Sequence, residues 1–336
     1  MTGCLSGNDA AYWCPEMSVE GCIMQVISLG NMLVEVMRVD LDVALDRPGT
    51  FIGPFPSGDT PIYIDTVARL GGHACGFIGV VGADDLGSCL LTRFERDGVD
   101  FNCGRVLSSH ATGVAFVAYF SDGSRRFVFH SRHAASGQLS PEQVKPAYFS
   151  DCRWLHVTGC NLAASESSRL ACLRAIELLP PGAVLSFDPN IRPEILSIAE
   201  IRDLCAPVIS RANVILPSLN EAAMLTGLLD DGAGCSTWAA QGKTVVLKRG
   251  PFGCHVFDGS QAVDVPGFRV KEVDPTRAGD SFCAAITTAR LEGLDWLQAA
   301  RFANAVGALA VTAKGPMEGA PTRDEVVTFV ARSNAS

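Results

Sequence analysis

Short apolar runs alternate along the chain with longer segments whose apolar residues recur at helical spacing. The apolar runs predict strands, beginning near Met24, and the periodic segments predict helices. The remaining predicted strands span residues 76–80, 154–157, 184–187, 214–216 and 244–247. The predicted helices span residues 62–70, 86–97, 166–178, 221–226, 278–292 and 297–313.

This order of elements predicts an α/β fold, with a doubly wound, mostly parallel sheet covered by helices on both faces. Nearly continuous apolar strands are typical of sheets that are buried on both sides. Ligands of such sheets bind beyond the carboxyl ends of the strands. Three polar segments, 188–192, 217–221 and 248–253, directly follow predicted strands, so we expect the functional site at that edge.

Two stretches, roughly residues 34–55 and 113–131, interrupt the alternation and predict hairpin-forming strands without a helix between them. We expect one domain over residues 24–332, with these strands inserted, and a short tail at 333–336. Residues 1–23 lack a basic segment followed by an apolar run, so they do not resemble a signal peptide. They are predicted to be a poorly ordered extension.

Composition narrows the possible partners. A net charge of −9 argues against binding to nucleic acid, which calls for a basic surface. No run approaches the ~20 apolar residues that span a bilayer, so no membrane partner is expected. The chain has 13 cysteines without a Cys-x-x-Cys pair, which indicates a reducing, cytoplasmic compartment and no zinc site.

The most informative segment is a turn that opens onto the predicted helix at Ala278. The first backbone N–H groups of a helix can hold a phosphate, and the small side chains of Ala278 and Gly279 permit close approach. Asp280 places a carboxylate beside the same position. Together these groups suit phosphoryl transfer to a hydroxyl, although an acidic residue in a first helical turn also has a purely structural use.

Segment 274–280, Asp-Pro-Thr-Arg-Ala-Gly-Asp, resembles the second signature of the ribokinase/PfkB carbohydrate kinases. Other landmarks of that family follow in order at 78–87, 98–100, 187–193, 245–253 and 302–309, and the resemblance runs from about residue 24 to 330. It implies an ATP-dependent kinase acting on a primary hydroxyl of a small sugar, with Mg²⁺ as cofactor. It also implies that the inserted strands form a lid over the sugar and a homodimer contact.

Within that family, segments 56–58 and 303–319 are most similar to tagatose kinases and fructokinase-like members, which implies a ketohexose such as tagatose or fructose. Two alternatives remain open. One is a kinase for 2-keto-3-deoxygluconate, because relatives acting on that acid sugar use an arginine placed like Arg192. The other is a non-catalytic sugar or nucleotide sensor, because Arg277, Ser218 and Ile62 depart from the family pattern.

The resemblance makes Asp280 the catalytic base and the N–H groups of Ala278, Gly279 and Asp280 an anion hole. Arg277 replaces a family glycine. Its guanidinium either adds charge to the anion hole or crowds the turn. The implied ATP-binding residues are Lys248, Gly250, Gly253 and Asn304.

The implied sugar-binding residues are Glu35, Gly58, Asp59 and Arg192, with Asp59 proposed as a replacement for the family asparagine that is Ile62 here. Glu221 is expected to orient Mg²⁺ through water. Carbonyl groups match loops that hold a monovalent cation such as K⁺ in some relatives; they belong to Asp274, Thr276, Ala310, Ala313 and Gly315. Each of these two glutamates also has a purely structural interpretation. Glu35 is then a solvated strand residue, and Glu221 is an acidic residue that stabilises the first turn of a helix.

Overall fold

The computed structural model describes residues 24–191, 196–259 and 261–333. The described residues form fifteen strands: β1 Val26–Leu29, β2 Leu33–Arg38, β3 Phe51–Ser57, β4 Cys75–Ile78, β5 Val80–Gly82, β6 Val99–Asp100, β7 Arg105–Leu107, β8 Gly113–Tyr119, β9 Arg125–His130, β10 Trp154–Thr158, β11 Val184–Asp188, β12 Val214–Ile215, β13 Thr244–Lys248, β14 Cys254–Asp258 and β15 Gln261–Val265. They also form ten α-helices: α1 Asp59–Leu70, α2 Asp85–Asp97, α3 Gly159–Ala164, α4 Glu166–Glu177, α5 Ile198–Arg211, α6 Glu221–Thr226, α7 Asp231–Ala240, α8 Ala278–Leu291, α9 Trp296–Ala310 and α10 Arg323–Ser333.

Nine strands form the main sheet in the order β15-β14-β13-β12-β11-β10-β1-β4-β6. Every neighbouring pair from β13 to β6 is parallel, and at the other edge β14 pairs antiparallel with both β13 and β15. The predicted α/β class with a mostly parallel sheet is therefore confirmed. Its cause is the strand–helix alternation, since parallel strands must be joined by crossovers.

The two faces of the sheet bury separate apolar cores. Ile27 and Leu29 of β1 lie in one core, whereas Val26 lies in the other, because successive side chains of a strand point to opposite faces. Helices α3, α4, α5 and α7 contribute to the first core, and α1, α2, α8 and α9 to the second. The start of α8 is thus held against the sheet from one side.

The two predicted insertions pair into a second sheet of four strands, in the order β3-β2-β8-β9, which we call the lid. Strands β2 and β8 are parallel neighbours, and β3 and β9 are the antiparallel edges. Two side chains of the lid hydrogen-bond to the segment before α8. Arg125 donates to the Thr276 hydroxyl at 2.8 Å, and the Tyr119 hydroxyl donates to the Asp274 carboxylate at 3.3 Å.

Four helices, α3, α5, α7 and α10, were not predicted from the pattern, and several short strands were missed as well. Helix α7 is built from small and polar residues apart from Trp238, and α5 carries Pro207 in its interior, so neither has a clear periodic stripe. Packing against the sheet stabilises them instead.

None of the helices within the described ranges is long and apolar enough to cross a membrane.

Candidate active site

The first turn of α8 separates two cavities at the carboxyl edge of the sheet. A cavity of about 500 Å³ under the lid, the acceptor cavity, is lined on this side by Asp280 and Thr276. A cavity of about 700 Å³ on the other side, the nucleotide cavity, is lined by Ala278 and Gly279. The helix start therefore faces both cavities within three consecutive residues.

Asp280 is half-buried in the first turn of α8. A carboxylate at this position is favoured by the helix dipole and is directed at the acceptor cavity. The N–H group of Ala278, predicted to belong to the anion hole, instead donates to the Pro275 carbonyl at 3.3 Å, because the chain forms a turn just before the helix. Gly279 borders Lys248, since a Cβ on the glycine would lie 3.6 Å from the lysine Nζ. The helix start and an ammonium group thus adjoin on the nucleotide side.

Lys248 is held by a buried ion pair with Asp188. The thiol of Cys283 lies 3.3 Å from the Asp188 carboxylate and 3.6 Å from Lys248 Nζ. Burial lowers the pKa of Lys248, but Asp188 and other nearby acidic groups raise it by more, so the net shift is upward and the amine stays charged. Asp188 belongs to the family landmark at 187–193. Its pairing with Lys248 could not be predicted, because the two residues are 60 positions apart in the chain.

Glu221 lies at the start of α6 and is almost fully buried. Its two carboxylate oxygens accept hydrogen bonds from the N–H groups of Ile191 and Ser218, each at 2.7 Å. Burial, together with the charge of Asp188, raises its pKa to about 7. Because both oxygens are used, Glu221 ties together the loops after β11 and β12, and a metal would reach it through water.

Oxygen donors are what Mg²⁺ takes, and it keeps several waters in protein sites. Asp188 and Glu221 are buried carboxylates close enough to interact electrostatically, and their hydrogen-bond partners Lys248 and Ser218 line the nucleotide cavity. No group of three or more acidic, histidine or cysteine side chains suited to a metal occurs within residues 24–191, 196–259 and 261–333. These oxygen donors thus fit a Mg²⁺ ion that arrives with a nucleotide and is held through water. The sequence predicted this role for Glu221 alone.

The remaining predicted nucleotide residues all line the nucleotide cavity. Gly253 has a φ of 86° and a Cβ there would lie 2.2 Å from the Val265 carbonyl, so only glycine permits this close approach of two backbones. Gly250 also has a positive φ, of 56°. Asn304 donates to the carbonyls of Val265 and Pro266 at 3.0 and 3.1 Å, so its amide nitrogen positions the loop that closes the cavity.

In the acceptor cavity, Glu35 projects from the lid strand β2 and is 4% exposed. One of its oxygens accepts a hydrogen bond from Ser57 at 2.9 Å, and the other, Oε2, has no hydrogen-bond partner among the described residues. Burial, opposed in part by the Ser57 bond, raises the pKa of Glu35 to about 7. A buried acceptor that lines a cavity suits the hydroxyl groups of a sugar.

Asp59 lines the same cavity and is the centre of a polar network. It accepts hydrogen bonds from the Thr158 hydroxyl at 2.6 Å and from the Asn190 amide at 3.1 Å. Asn161 donates to the Thr158 hydroxyl at 2.8 Å and accepts from the N–H of Asn31, also at 2.8 Å. The sequence did not single out Asn161, because all its partners except Thr158 lie in two distant segments, around residues 29–31 and 59–60.

Gly58 precedes α1 with a φ of 118°, and a Cβ there would lie 2.3 Å from the Asn31 carbonyl. Ile62 lines the acceptor cavity with an apolar surface, and Arg125 of the lid, which the sequence did not single out, lines it with a charge. Arg192, predicted as a substrate residue, lies outside the described residues, as does the predicted extension 1–23.

The structure corrects the prediction that the Arg277 guanidinium adds charge at the anion hole. Arg277 precedes α8 and is fully buried, and its side chain lines neither cavity. Its Nη2 instead donates to the Ala313 carbonyl at 3.0 Å and lies 3.5 Å from the Asp274 carboxylate. The Ala313 carbonyl is one of the predicted K⁺ ligands and already accepts a hydrogen bond from the guanidinium, so K⁺ does not fit beside Arg277.

A doubly wound sheet with a lid, and a carboxylate at a helix start between two cavities, is the arrangement expected of a small-molecule kinase. The model of the pfkB family carbohydrate kinases matches residues 64–323, which is more than half of the chain. The chain belongs to that family, and the prediction of an ATP-dependent carbohydrate kinase is confirmed.

Three proteins that carry a name or a solved structure are similar to this chain over most of its length. Fructokinase-1 of Zea mays is 31% identical over 320 residues, covering 92% of this chain and 98% of the maize protein. An E. coli protein classed as a ribokinase II, solved in complex with ATP and Mg²⁺, is 38% identical with a TM-score of 0.87, covering 92% of this chain and 99% of its own. Fructokinase from Vibrio cholerae O395, solved with fructose, ADP and calcium, is 26% identical with a TM-score of 0.77, covering 91% and 99%.

Proposed function

We propose that this kinase transfers the γ-phosphoryl group of ATP to a primary hydroxyl of a ketohexose, with fructose as the favoured substrate. The observation that carries the proposal is the position of the α8 start, where Asp280 faces the acceptor cavity and Ala278 and Gly279 face the nucleotide cavity. In-line transfer requires the sugar hydroxyl and the γ-phosphate of ATP to meet at one point, and the first turn of α8 lies between the two cavities that would hold them.

In this reaction Asp280 takes the proton of the attacking hydroxyl as its oxygen forms a bond to the γ-phosphorus. The bond between that phosphorus and the bridging oxygen of ATP breaks, and ADP leaves. The N–H groups of Gly279 and Asp280 and the Lys248 ammonium stabilise the charge on the phosphoryl oxygens. When bound, Mg²⁺ neutralises phosphate charge, and Asp188 and Glu221 would hold it through water.

On the acceptor side, Glu35 and Asp59 present carboxylates to the sugar hydroxyls. The Glu35 oxygen without a partner is satisfied when a sugar hydroxyl donates to it. Fructose is favoured over tagatose because the maize relative is named a fructokinase and the Vibrio neighbour was solved with fructose. The acid-sugar alternative depends on Arg192.

The test is an assay of ADP release with fructose, tagatose, 2-keto-3-deoxygluconate, ribose and a nucleoside as acceptors. We expect the highest kcat/KM with fructose and no turnover by an Asp280→Ala variant. A substrate preference for ribose or the nucleoside would refute the ketohexose assignment. ADP release that is independent of any acceptor would refute sugar phosphorylation.

We also propose that the enzyme works in the cytoplasm as a homodimer joined through the lid. Strand β9 is an edge strand whose Val128 and Phe129 are 43% and 44% exposed. An exposed apolar edge of this kind pairs readily with another strand. A Val128→Glu and Phe129→Glu double variant is expected to elute as a monomer in size-exclusion chromatography with light scattering, whereas a wild-type monomer would refute the proposal.

A further inference from the structure

The side chain of Arg277 is a fully buried charge in a niche away from both cavities. The niche lies between the segment before α8 and the loop 310–319 after α9. Besides the Ala313 bond and the Asp274 ion pair, its guanidinium borders the Ala310 carbonyl. A Cβ on Gly319 would lie 1.9 Å from Arg277 Nη1 and 2.4 Å from the Ala310 oxygen, so these two atoms share one small space.

One carboxylate and two carbonyl oxygens therefore converge on this guanidinium. Such a donor set attracts a single positive charge, and a buried charge without a partner is costly. Burial lowers the pKa of Arg277, and the negative charge of Asp274 opposes that shift. An arginine stays protonated at any ordinary pH, so the niche already contains its cation.

A second cation in the same niche would compete for the same oxygens and meet the guanidinium at a few ångströms, where repulsion is strong in a medium of low dielectric constant. Nε and Nη1 of Arg277 have no hydrogen-bond partner among the described residues. The guanidinium is thus held mainly by the charge and dipoles of the oxygens around it, as an inorganic ion would be.

We propose that Arg277 is a built-in cation that replaces a bound monovalent metal ion and makes this enzyme independent of K⁺. Its function is to position the residues beside the catalytic turn. Asp274, its partner, also accepts hydrogen bonds from the lid hydroxyl of Tyr119 and from the N–H of Gly315 at 3.3 and 3.2 Å. The other Asp274 oxygen accepts from the N–H and hydroxyl of Thr276 at 3.1 and 2.6 Å. Arg277 therefore neutralises the group that joins the lid, the loop 310–319 and the approach to α8.

The test compares two variants that both remove the charge. Arg277→Gly leaves an empty niche lined by oxygens, whereas Arg277→Met fills it with an apolar chain of similar length. Thermal unfolding is measured in KCl and in choline chloride at equal ionic strength, because choline is too large for the niche. We expect the wild type to unfold at the same temperature in both salts. Arg277→Gly should unfold at a lower temperature in choline chloride and recover part of the loss in KCl, and Arg277→Met should show no recovery.

The kinase reaction gives a second measurement, which depends on the proposed function. Wild-type kcat should be equal in the two salts, and KCl should raise the kcat of Arg277→Gly several-fold. A wild-type kcat or unfolding temperature that rises specifically with K⁺ would overturn the proposal, as would an Arg277→Gly variant without a K⁺-specific response. If no acceptor sugar is phosphorylated in either salt, the function is wrong, but the unfolding temperatures still decide the role of Arg277.

Discussion

The ammonium of Lys248 pairs with the carboxylate of Asp188 across an intervening strand. Asp188 ends β11 and Lys248 ends β13, with β12 between them in the sheet. The pair lies next to Gly279 at the start of α8, so its charges act where the phosphate of ATP is expected. A buried lysine near a phosphate site is an effective point charge, but it needs a carboxylate to remain protonated.

Lys248→Met is expected to lower kcat/KM for ATP by about 10²-fold, because one full charge is lost from the nucleotide side of the turn. This change also leaves Asp188 buried without its cation. The double variant Lys248→Met, Asp188→Asn removes that penalty and should recover unfolding temperature but not activity. Recovery of both would mean that Lys248 has only a structural role.

Asp280→Asn is expected to reduce kcat by about 10²–10⁴-fold, since the amide cannot accept the hydroxyl proton. Calorimetry should show nearly unchanged ATP affinity, because the backbone N–H groups at the helix start are retained. The matched comparison is Asp59→Asn, which should mainly raise KM for the sugar. An Asp280→Asn enzyme with wild-type kcat would assign the base to another residue.

Glu35→Gln is expected to change how stability depends on pH. The pKa of Glu35 is raised from 4.5 to about 7 in the folded protein. A carboxyl whose pKa is raised by folding does not affect the free energy of unfolding at a pH below its pKa in the unfolded state. As the pH rises from that pKa to the pKa in the folded state, the group destabilises the fold progressively. The wild type should therefore lose up to about 3 kcal/mol relative to Glu35→Gln between pH 4.5 and 7.

Chemical denaturation of both proteins at pH 4.5, 6 and 8, without sugar, measures this difference. The other buried carboxyls titrate in both proteins, so their contributions cancel in the comparison. A difference in unfolding free energy that is constant with pH would show that Glu35 is ionised in the folded enzyme without cost.

Asp65→Ala is expected to destabilise the fold by about 3 kcal/mol, because it leaves Arg93 as a buried charge with a weakened set of partners. Arg93 donates to both Asp65 oxygens, at 2.9 and 2.7 Å, and Asp65 has no exposed surface. Asp97 remains as a second partner of Arg93 at 2.6 Å, which limits the loss.

The control is Glu166→Ala, which removes a surface ion pair with Arg169 at 3.8 Å in which the glutamate side chain is 79% exposed. Such surface pairs contribute under about 1 kcal/mol. Equal losses for the two variants in urea denaturation would contradict the assignment of Asp65 to the core.

The sequence by itself determined the α/β class, the inserted lid strands and the position of Asp280, because each is encoded locally. Strands and helices follow from the period of apolar residues, and the turn before α8 from small residues before a periodic run. Helix bounds were also close. The helix predicted at 278–292 is Ala278–Leu291, and that predicted at 221–226 is Glu221–Thr226.

Only the tertiary structure decided which side chains meet across distant segments. The Asp188–Lys248 pair, the Asn161 network around Asp59 and the direction of Arg277 all join residues that are adjacent only after the sheet has formed. A pattern along the chain records which residue types follow one another, but a charge is placed by the groups that surround it in space. Arg277 shows the difference, since its identity was evident from the sequence, whereas the niche of oxygens that holds its guanidinium exists only in the folded protein.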